Sequence, residues 1–372
     1  MNVDLSVLKN DEKAVFGLRS LYQKYGYSQY KMSKFEEYDI YVKNKDFLVS
    51  DSVITFTDTN GKLMALKPDV TLSIIKNSTD KEGCVQKVYY NENVYRVSKG
   101  THSFKEIMQV GLECIGDIDD YSIYEVIMLA AKSLKDISDE YMLDISHMGI
   151  VSGIINMLDI GHDAEKELLK CIGEKNVHGI AELCNKEGVD EGKAEVLKEL
   201  VSTYGTPEKI IPMLKKIECD EIKDAVSQLE KVLSAAELSE FNINIDFSVI
   251  NDMSYYNGFV FKGFINGIAS GVLSGGQYDK LMKKMGRKSG AIGFAVYLDM
   301  LERLGLSEKE YDVDAVILYD KDTDIDALND AIALLKSNGR SVMAQKKVPD
   351  GISYKQLLKL EERRVEIIEN NA

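Results

Sequence analysis

The sequence predicts an α+β fold: an antiparallel β-sheet flanked by helices, interrupted by an inserted helical block and followed by a small α/β unit. Three observations carry this. Strand-and-turn sequence fills residues 27–145 and returns at 241–265. Between these regions, from about His162 to Leu238, the chain is rich in Leu, Lys and Glu at helical spacing and shows no strand signals. Strand and helix signals alternate only after Gly305. Strand runs set apart from helix runs indicate α+β rather than a doubly wound sheet.

In chain order, EKAVFGLRSLYQKY (Glu12–Tyr25) repeats Val15, Leu18, Leu21, Tyr22 and Tyr25 at helical spacing, with Asp11 to cap it and Gly26 to end it. VITFTDTNGKLMAL (Val53–Leu66) is a hairpin turning at Asn60-Gly61. VQKVYYNENVYRV (Val85–Val97) reads as a strand pair turning at Asn91-Glu92-Asn93. Met108–Ile115 alternates, with Val110, Leu112 and Cys114 on one side and Gln109, Gly111 and Glu113 on the other. YSIYEVIMLAAKSLKDI (Tyr121–Ile137) is a helix. Strands resume at Phe241–Ile250 and Gly258–Ile265, followed by a glycine-rich stretch, Gly267–Gly286. AIGFAVYLDMLERL (Ala291–Leu304) is apolar almost all round at its start and reads as a buried helix. The tail reads β-α-β-α: VDAVILY, DIDALNDAIALLKSNG closed by Gly339, RSVMAQ, and SYKQLLKLEERR as the second helix. The expected organisation is a core of residues 1–160 and 236–308, an inserted helical domain of 161–235, and a C-terminal α/β unit of 309–372.

Bulk properties narrow the function. The 372 residues allow two or three domains, and 45% hydrophobic with 29% charged residues is ordinary globular composition. A net charge of −15 opposes nucleic-acid binding, because that affinity comes largely from Lys and Arg meeting phosphates. Cys84, Cys114, Cys171, Cys184 and Cys219 are scattered and odd in number, which reads as free thiols in a reducing compartment. The polar N-terminus has no signal-peptide core, and no apolar run approaches the roughly 20 residues that span a bilayer. A cytoplasmic protein without a membrane partner is expected. His102, His147, His162 and His178 have no partners at ligand spacing, so no metal is expected. G-x-S-x-G and P-loop patterns are absent, and nothing calls for a cofactor.

Three polar clusters remain. LKPDVT (Leu66–Thr71) presents Asp69 and Thr71 from a turn. Arg96 stands with Gln109 and Glu113. SYYNGFVF and SGGQYDKL place Tyr255, Tyr256 and Tyr278 beside glycines. Taken singly, each has an ordinary explanation as turn former, solvated strand face or packing. Together they suit a small zwitterion with a hydrogen-bonding ring. Asp69, Thr71 and Gln109 would take an ammonium and Arg96 a carboxylate, while Glu113 with Tyr256 or Tyr278 would take an imidazole. Glycine at 111 would leave room for that ligand against the strand.

The ordered segments FTDTNGKLMALKPDVT, VYYNENVYRV, FKEIMQVGLECIG, MSYYNGFVF, SGGQYDKL and AIGFAVYLDML resemble the catalytic core of histidyl-tRNA synthetases over roughly residues 10–305. The resemblance implies a class II aminoacyl-tRNA synthetase-like sheet. The departures from it are as informative. Where synthetases carry an ATP-contacting arginine in the third motif, this chain has Met300. The glutamate two residues after the motif 2 arginine is Ser98, and the motif 2 loop is SKGTHS. The arginine before the paired tyrosines is Asn251, the motif 1 proline is Ser33, and LRPE has become LKPD. Methionine donates no hydrogen bond, and losing one desolvated charge contact costs about 2–5 kcal/mol. The losses fall on the ATP side and leave most histidine contacts in place.

This pattern resembles the regulatory subunits of ATP phosphoribosyltransferase, paralogues of histidyl-tRNA synthetase. The resemblance implies a non-catalytic chain in the first step of histidine biosynthesis. Such a chain activates a short-form catalytic subunit, takes part in feedback inhibition by L-histidine, forms a self-dimer and enters a hetero-octamer of four chains of each kind. It further implies a C-terminal segment too short for a complete anticodon-binding domain. It places the ammonium on Asp69, Thr71 and Gln109, the imidazole on Glu113, and the ring between Tyr256 and Tyr278, with Tyr255 as packing. The competing readings are a divergent histidine-activating ligase and a histidine-binding module with another partner.

Overall fold

The computed structural model describes residues 8–44, 48, 53–80, 83–98, 102–250, 255–303, 311–361 and 364–371. Chain contacts divide it into two units, residues 1–304 and 305–372. The first half of the first unit comprises α1 (Asn10–Lys24), β1 (Ser28–Gln29), β2 (Phe35–Glu37), α2 (Tyr38–Lys43), β3 (Thr55–Thr57), β4 (Leu63–Leu66), α3 (Thr71–Asn77), β5 (Val85–Val97), β6 (Phe104–Gly116), α4 (Asp120–Ile137), β7 (Tyr141–His147) and α5 (Met148–Met157). It continues through α6 (His162–Gly173), α7 (Val177–Lys186), α8 (Glu191–Ser202), β8 (Tyr204–Gly205), α9 (Pro207–Leu214), α10 (Asp220–Leu233), β9 (Ile243–Asp246), β10 (Phe259–Ile265), β11 (Leu273–Gln277), α11 (Asp279–Lys284) and β12 (Gly290–Tyr297). The second unit holds β13 (Val313–Leu318), α12 (Ile325–Ser337), β14 (Val342–Gln345), β15 (Tyr354–Glu361) and β16 (Arg364–Asn370).

A nine-stranded, mostly antiparallel sheet in the order β1-β5-β6-β12-β11-β10-β7-β9-β8 forms the first unit's frame. The α+β class follows from it. One face of β6 buries Val110, Leu112 and Cys114 beneath α1 and α4, whose Leu18, Tyr22, Val126, Ile127 and Leu134 are sealed from solvent. α4 starts where the Asp119 carboxylate accepts the Ser122 N–H at 2.8 Å, an N-cap that satisfies one orphan donor. The opposite face carries a smaller core of Val88, Tyr90, Val94, Leu72, Ile74 and Ile115, with Tyr278 among them. The helical block is joined to this frame, not set apart from it: β8 pairs with β9 at the sheet edge, and α10 packs on α4 and α5.

Several expectations need correction. Residues 291–297 form β12, a central strand between β6 and β11, and a 3-10 turn over Leu298–Arg303 replaces the expected helix. An apolar segment looks alike whether it is a buried helix or a strand covered on both faces. Val85–Val97 is one 13-residue strand, paired with β6 from Val85↔Gly116 to Val97↔Phe104, so Asn91-Glu92-Asn93 does not turn. The hairpin at 53–66 is present, but Thr57 pairs with Leu63, and the connection holds five residues with Gly61 at φ +81°. The glycine-rich stretch contains β11 and α11. In the second unit β13, α12 and β14 appear as expected, whereas 354–361 is β15, parallel to β13 and antiparallel to β16. Its Lys, Gln, Leu and Glu favour helix locally, and sheet pairing overrides that preference. Among the described residues, no helix is long and apolar enough to cross a membrane.

Candidate functional site

The pleat of the sheet decides which residues meet. Arg96 pairs with Lys105, Glu92 with Gln109, Tyr90 with Gly111 and Val88 with Glu113, so all of them face the same side. On the other flank of β6, Tyr297 pairs with Gln109, Ala295 with Gly111 and Gly293 with Glu113; next in line, Gly276 pairs with Gly293. The floor is therefore a row of small residues running across the strands. α3, the turn before β10 and the turn after β11 stand over it.

Glu113 is the centre. It is only 2% exposed. The Thr71 hydroxyl donates to one carboxylate oxygen at 2.7 Å, and the Tyr278 hydroxyl donates to the other. Burial pushes the carboxyl up to about 8; the two hydroxyl donors pull it down and the Asp69 charge adds to the rise. Burial also raises Asp69, against the Leu72 N–H bonded at 2.9 Å and the neighbouring Arg96. Two carboxyl groups thus lie within electrostatic reach of each other, and Arg96 stands near Asp69, its Nε donating to the Pro68 carbonyl at 3.1 Å. The Tyr255 ring lies 4.5 Å from that of Tyr256 and 5.8 Å from that of Tyr278.

The structure thus brings together Asp69, Thr71, Glu113, Tyr255, Tyr256 and Tyr278. Gln109 is buried on the same face but four residues along β6, a displacement of roughly 14 Å at about 3.4 Å per residue. Arg96 lies near Asp69. Asn251 and the tip of the SKGTHS loop, 99–101, lie outside the described residues, as do Met253 and Ser254.

The reading of Gly111 as clearance for a ligand is wrong. A Cβ there would meet the Phe294 carbonyl oxygen and come within 2.5 Å of the Tyr90 hydroxyl. The same holds along the row. A Cβ at Gly293 would collide with the Glu113 carboxylate, and one at Gly276 would lie 2.6 Å from the Tyr256 ring. The glycines make room for the site's own side chains.

Sequence reasoning missed Tyr90, Tyr297 and Gly293. Tyr90 is 2% exposed, and burial with the Glu113 and Asp69 charges raises its phenol well above the ordinary value. Burial likewise raises Tyr297, which Arg96 opposes. A signal for Tyr90 was present: it has the same strand parity as Arg96, visible once Val85–Val97 is one strand. Asn257 went unnoticed as well. Its side chain donates to Asp279 at 3.0 Å and accepts the Asp279 N–H at 2.8 Å, tying the Tyr255–Tyr256 turn to the segment that bears Tyr278.

Met300 lies in the 3-10 turn after β12 and receives the Ser270 hydroxyl on its sulfur at 3.4 Å. Ser98 closes the β5–β6 turn, its N–H donating to the Ser103 carbonyl at 2.9 Å.

The histidyl-tRNA synthetase family model matches residues 3–301. The ATP phosphoribosyltransferase regulatory subunit of Caldanaerobacter subterraneus subsp. tengcongensis is 30% identical over 289 residues, covering 76% of this chain and 75% of that protein. The crystal structure of an ATP phosphoribosyltransferase regulatory subunit/histidyl-tRNA synthetase from Bacillus halodurans C covers 94% of this chain and 93% of its own, at TM-score 0.71 and 26% identity. The ATP phosphoribosyl transferase (HisG:HisZ) complex from Thermotoga maritima contains a chain of the same fold, at TM-score 0.61 and 20% identity over 77% of this chain and 97% of that one. This chain belongs to the histidyl-tRNA synthetase family and, within it, to the ATP phosphoribosyltransferase regulatory subunits.

Proposed function

We propose that this chain binds L-histidine on Glu113 and, through a short-form ATP phosphoribosyltransferase catalytic subunit, switches the first step of histidine biosynthesis on and off. The observation that carries the histidine site is the Glu113 carboxyl: buried, held by two hydroxyl donors, walled by tyrosines, with a second carboxyl at Asp69. An imidazole N–H donates to Glu113, and its ring packs against Tyr256 and Tyr278. The ammonium meets Asp69, with Gln109 farther along the strand, and the carboxylate meets Arg96. Thr71 gives its hydrogen to Glu113 and keeps lone pairs for the ammonium.

The chain is read as non-catalytic. Met300 and Ser98 supply neither charge to a triphosphate nor a carboxylate to an adenine, so adenylate formation lacks its electrostatic support. The catalytic partner is read from the relatives' name and the Thermotoga maritima complex, and a cytoplasmic hetero-octamer with four chains of each kind remains the expected assembly. The three-stranded sheet β2-β4-β3 supports the self-dimer: Phe35 and Phe56, rings 5.3 Å apart, are exposed on one face with Met64 and Leu66, and Glu37 stands among them. In this reading residues 1–160 and 236–308 are the histidine-binding core, 161–235 the insertion and 309–372 an appended unit. Calorimetric titration of L-histidine into the purified chain tests the pocket. Binding at one site per chain, lost in Glu113→Ala, supports it, and unchanged affinity in that variant overturns it.

A further inference from the structure

The two donors to Glu113 come from the starts of two short helical segments. Thr71 is the first residue of α3, and Tyr278 immediately precedes α11. Seven and six residues make helices too short to hold their own direction, so their placement depends on their shared core, through Leu72, Ile74, Leu281 and Met282, and on what ties their ends. Their far ends are tied to each other. Arg287, just past α11, donates Nη2 to the Ile75 and Lys76 carbonyls, 3.2 and 3.0 Å away, at the C-terminus of α3. The Ile75 carbonyl also accepts the Ser78 N–H and hydroxyl, at 3.1 and 2.8 Å, and a guanidinium suits the negative end of the helix dipole. In return Asp80, just past α3, accepts the Lys288 and Ser289 N–H groups at 3.3 and 3.4 Å and the Ser289 hydroxyl. Glu36 ties α3 to β2, and Asn257 ties the start of α11 to the pocket wall, but neither joins one helix to the other. Asp80, Lys288 and Ser289 line an open cleft of about 810 Å³, and Arg287 is half-buried beside them.

We infer that Arg287 and Asp80 are positioning residues for the histidine site: by clasping the far ends of α3 and α11 they hold the Thr71 and Tyr278 hydroxyls on the two oxygens of Glu113. This rests on the reading of Glu113 as the ring-binding carboxyl. Releasing one donor removes a hydrogen bond to a group that shares charge with the ligand, which corresponds to roughly tenfold in affinity.

The test is calorimetry of L-histidine on the full chain, wild type against Arg287→Ala, Arg287→Lys and Asp80→Asn, with a double-mutant cycle in thermal midpoint between Arg287→Ala and Glu113→Gln. The expected result is a Kd about tenfold weaker at unchanged stoichiometry in Arg287→Ala and Asp80→Asn, with part of it restored in Arg287→Lys. A generally damaged fold would instead lower the stoichiometry. The midpoint cycle is expected to be non-additive although the two side chains do not touch. It needs no ligand, so it judges the clasp even if the wild type fails to bind L-histidine, an outcome that counts against the proposed function. An additive cycle with wild-type Kd in Arg287→Ala overturns the inference, and Arg287→Lys and Asp80→Asn decide it if Arg287→Ala does not fold.

Discussion

The two ends of the ligand face are built differently. At Glu113 the carboxyl is sealed, both oxygens have donors, and the space beside Gly111, Gly276 and Gly293 is taken by Tyr90, Tyr256 and Glu113 itself. Toward Arg96 the guanidinium is half-buried and leans on a backbone carbonyl, and β6 begins at Phe104, 75% exposed. In the proposed function the Glu113 end receives the imidazole. The other carries Arg96 and the buried Lys67, whose ammonium pairs with Glu92 at 2.5 Å. The contrast is what a protein needs if it is to sense an amino acid without activating it.

The largest predicted effect breaks the closed end. Glu113→Ala removes the ring's acceptor and leaves two buried hydroxyls without their partner, so L-histidine affinity should fall about a hundredfold or more by calorimetry while circular dichroism is unchanged. Next is Gly293→Ala. Its Cβ would collide with the Glu113 carboxylate and approach the Leu112 carbonyl oxygen to 2.5 Å. Chemical denaturation should show about 1–3 kcal/mol of lost stability together with weakened binding.

The pH dependence separates the pocket from the rest of the fold. Glu113 rises from 4.5 in the unfolded chain to about 8, so between those values the folded chain holds a proton that the unfolded chain has released. This contribution to stability is complete below pH 4.5 and is lost as pH rises through 8. His147 runs the other way. Burial lowers it from 6.5 to about 4, its Nδ1 accepting the Gly149 N–H at 3.1 Å, so stability is lost as pH falls from 6.5 through 4. Thermal midpoints across pH 4–9 should show both slopes. Glu113→Gln should flatten the alkaline one and leave the acid one in place. The smallest effect sharpens the role of Tyr255, which the sequence assigns to packing. Tyr255→Phe keeps the ring contacts with Tyr256 and Tyr278 and removes only a hydroxyl, so affinity should fall by no more than about threefold to tenfold.

Legibility followed the same division. Val110, Leu112 and Cys114 alternate against Gln109, Gly111 and Glu113, and that local period placed Glu113 on the correct face before any partner strand was known. Asp69, Thr71 and the tyrosines could be named by residue type. Their convergence depends on cross-strand register and on two short helices, which no local pattern encodes. Gly111 was noticed for the right reason, close approach to its backbone, but the approaching groups are Tyr90 and the Phe294 carbonyl, both fixed by pairing. Reading 291–304 as helix concealed Gly293 and Tyr297 together, because period-2 placement was never applied to them. The helices of the insertion were plain, since amphipathic spacing is local. The strand at 354–361 was not, since its composition favours helix and its neighbours overrule it.

The central claim is control of a partner by histidine. The direct measurement is phosphoribosyl-ATP formation by a purified short-form catalytic subunit from the same source, with and without this chain, followed by titration with L-histidine. The account predicts that activity rises when the chain is added, falls as histidine is added, and stays insensitive to histidine when the added chain carries Glu113→Ala. A subunit whose rate is the same with and without the chain, at every histidine concentration, would contradict it.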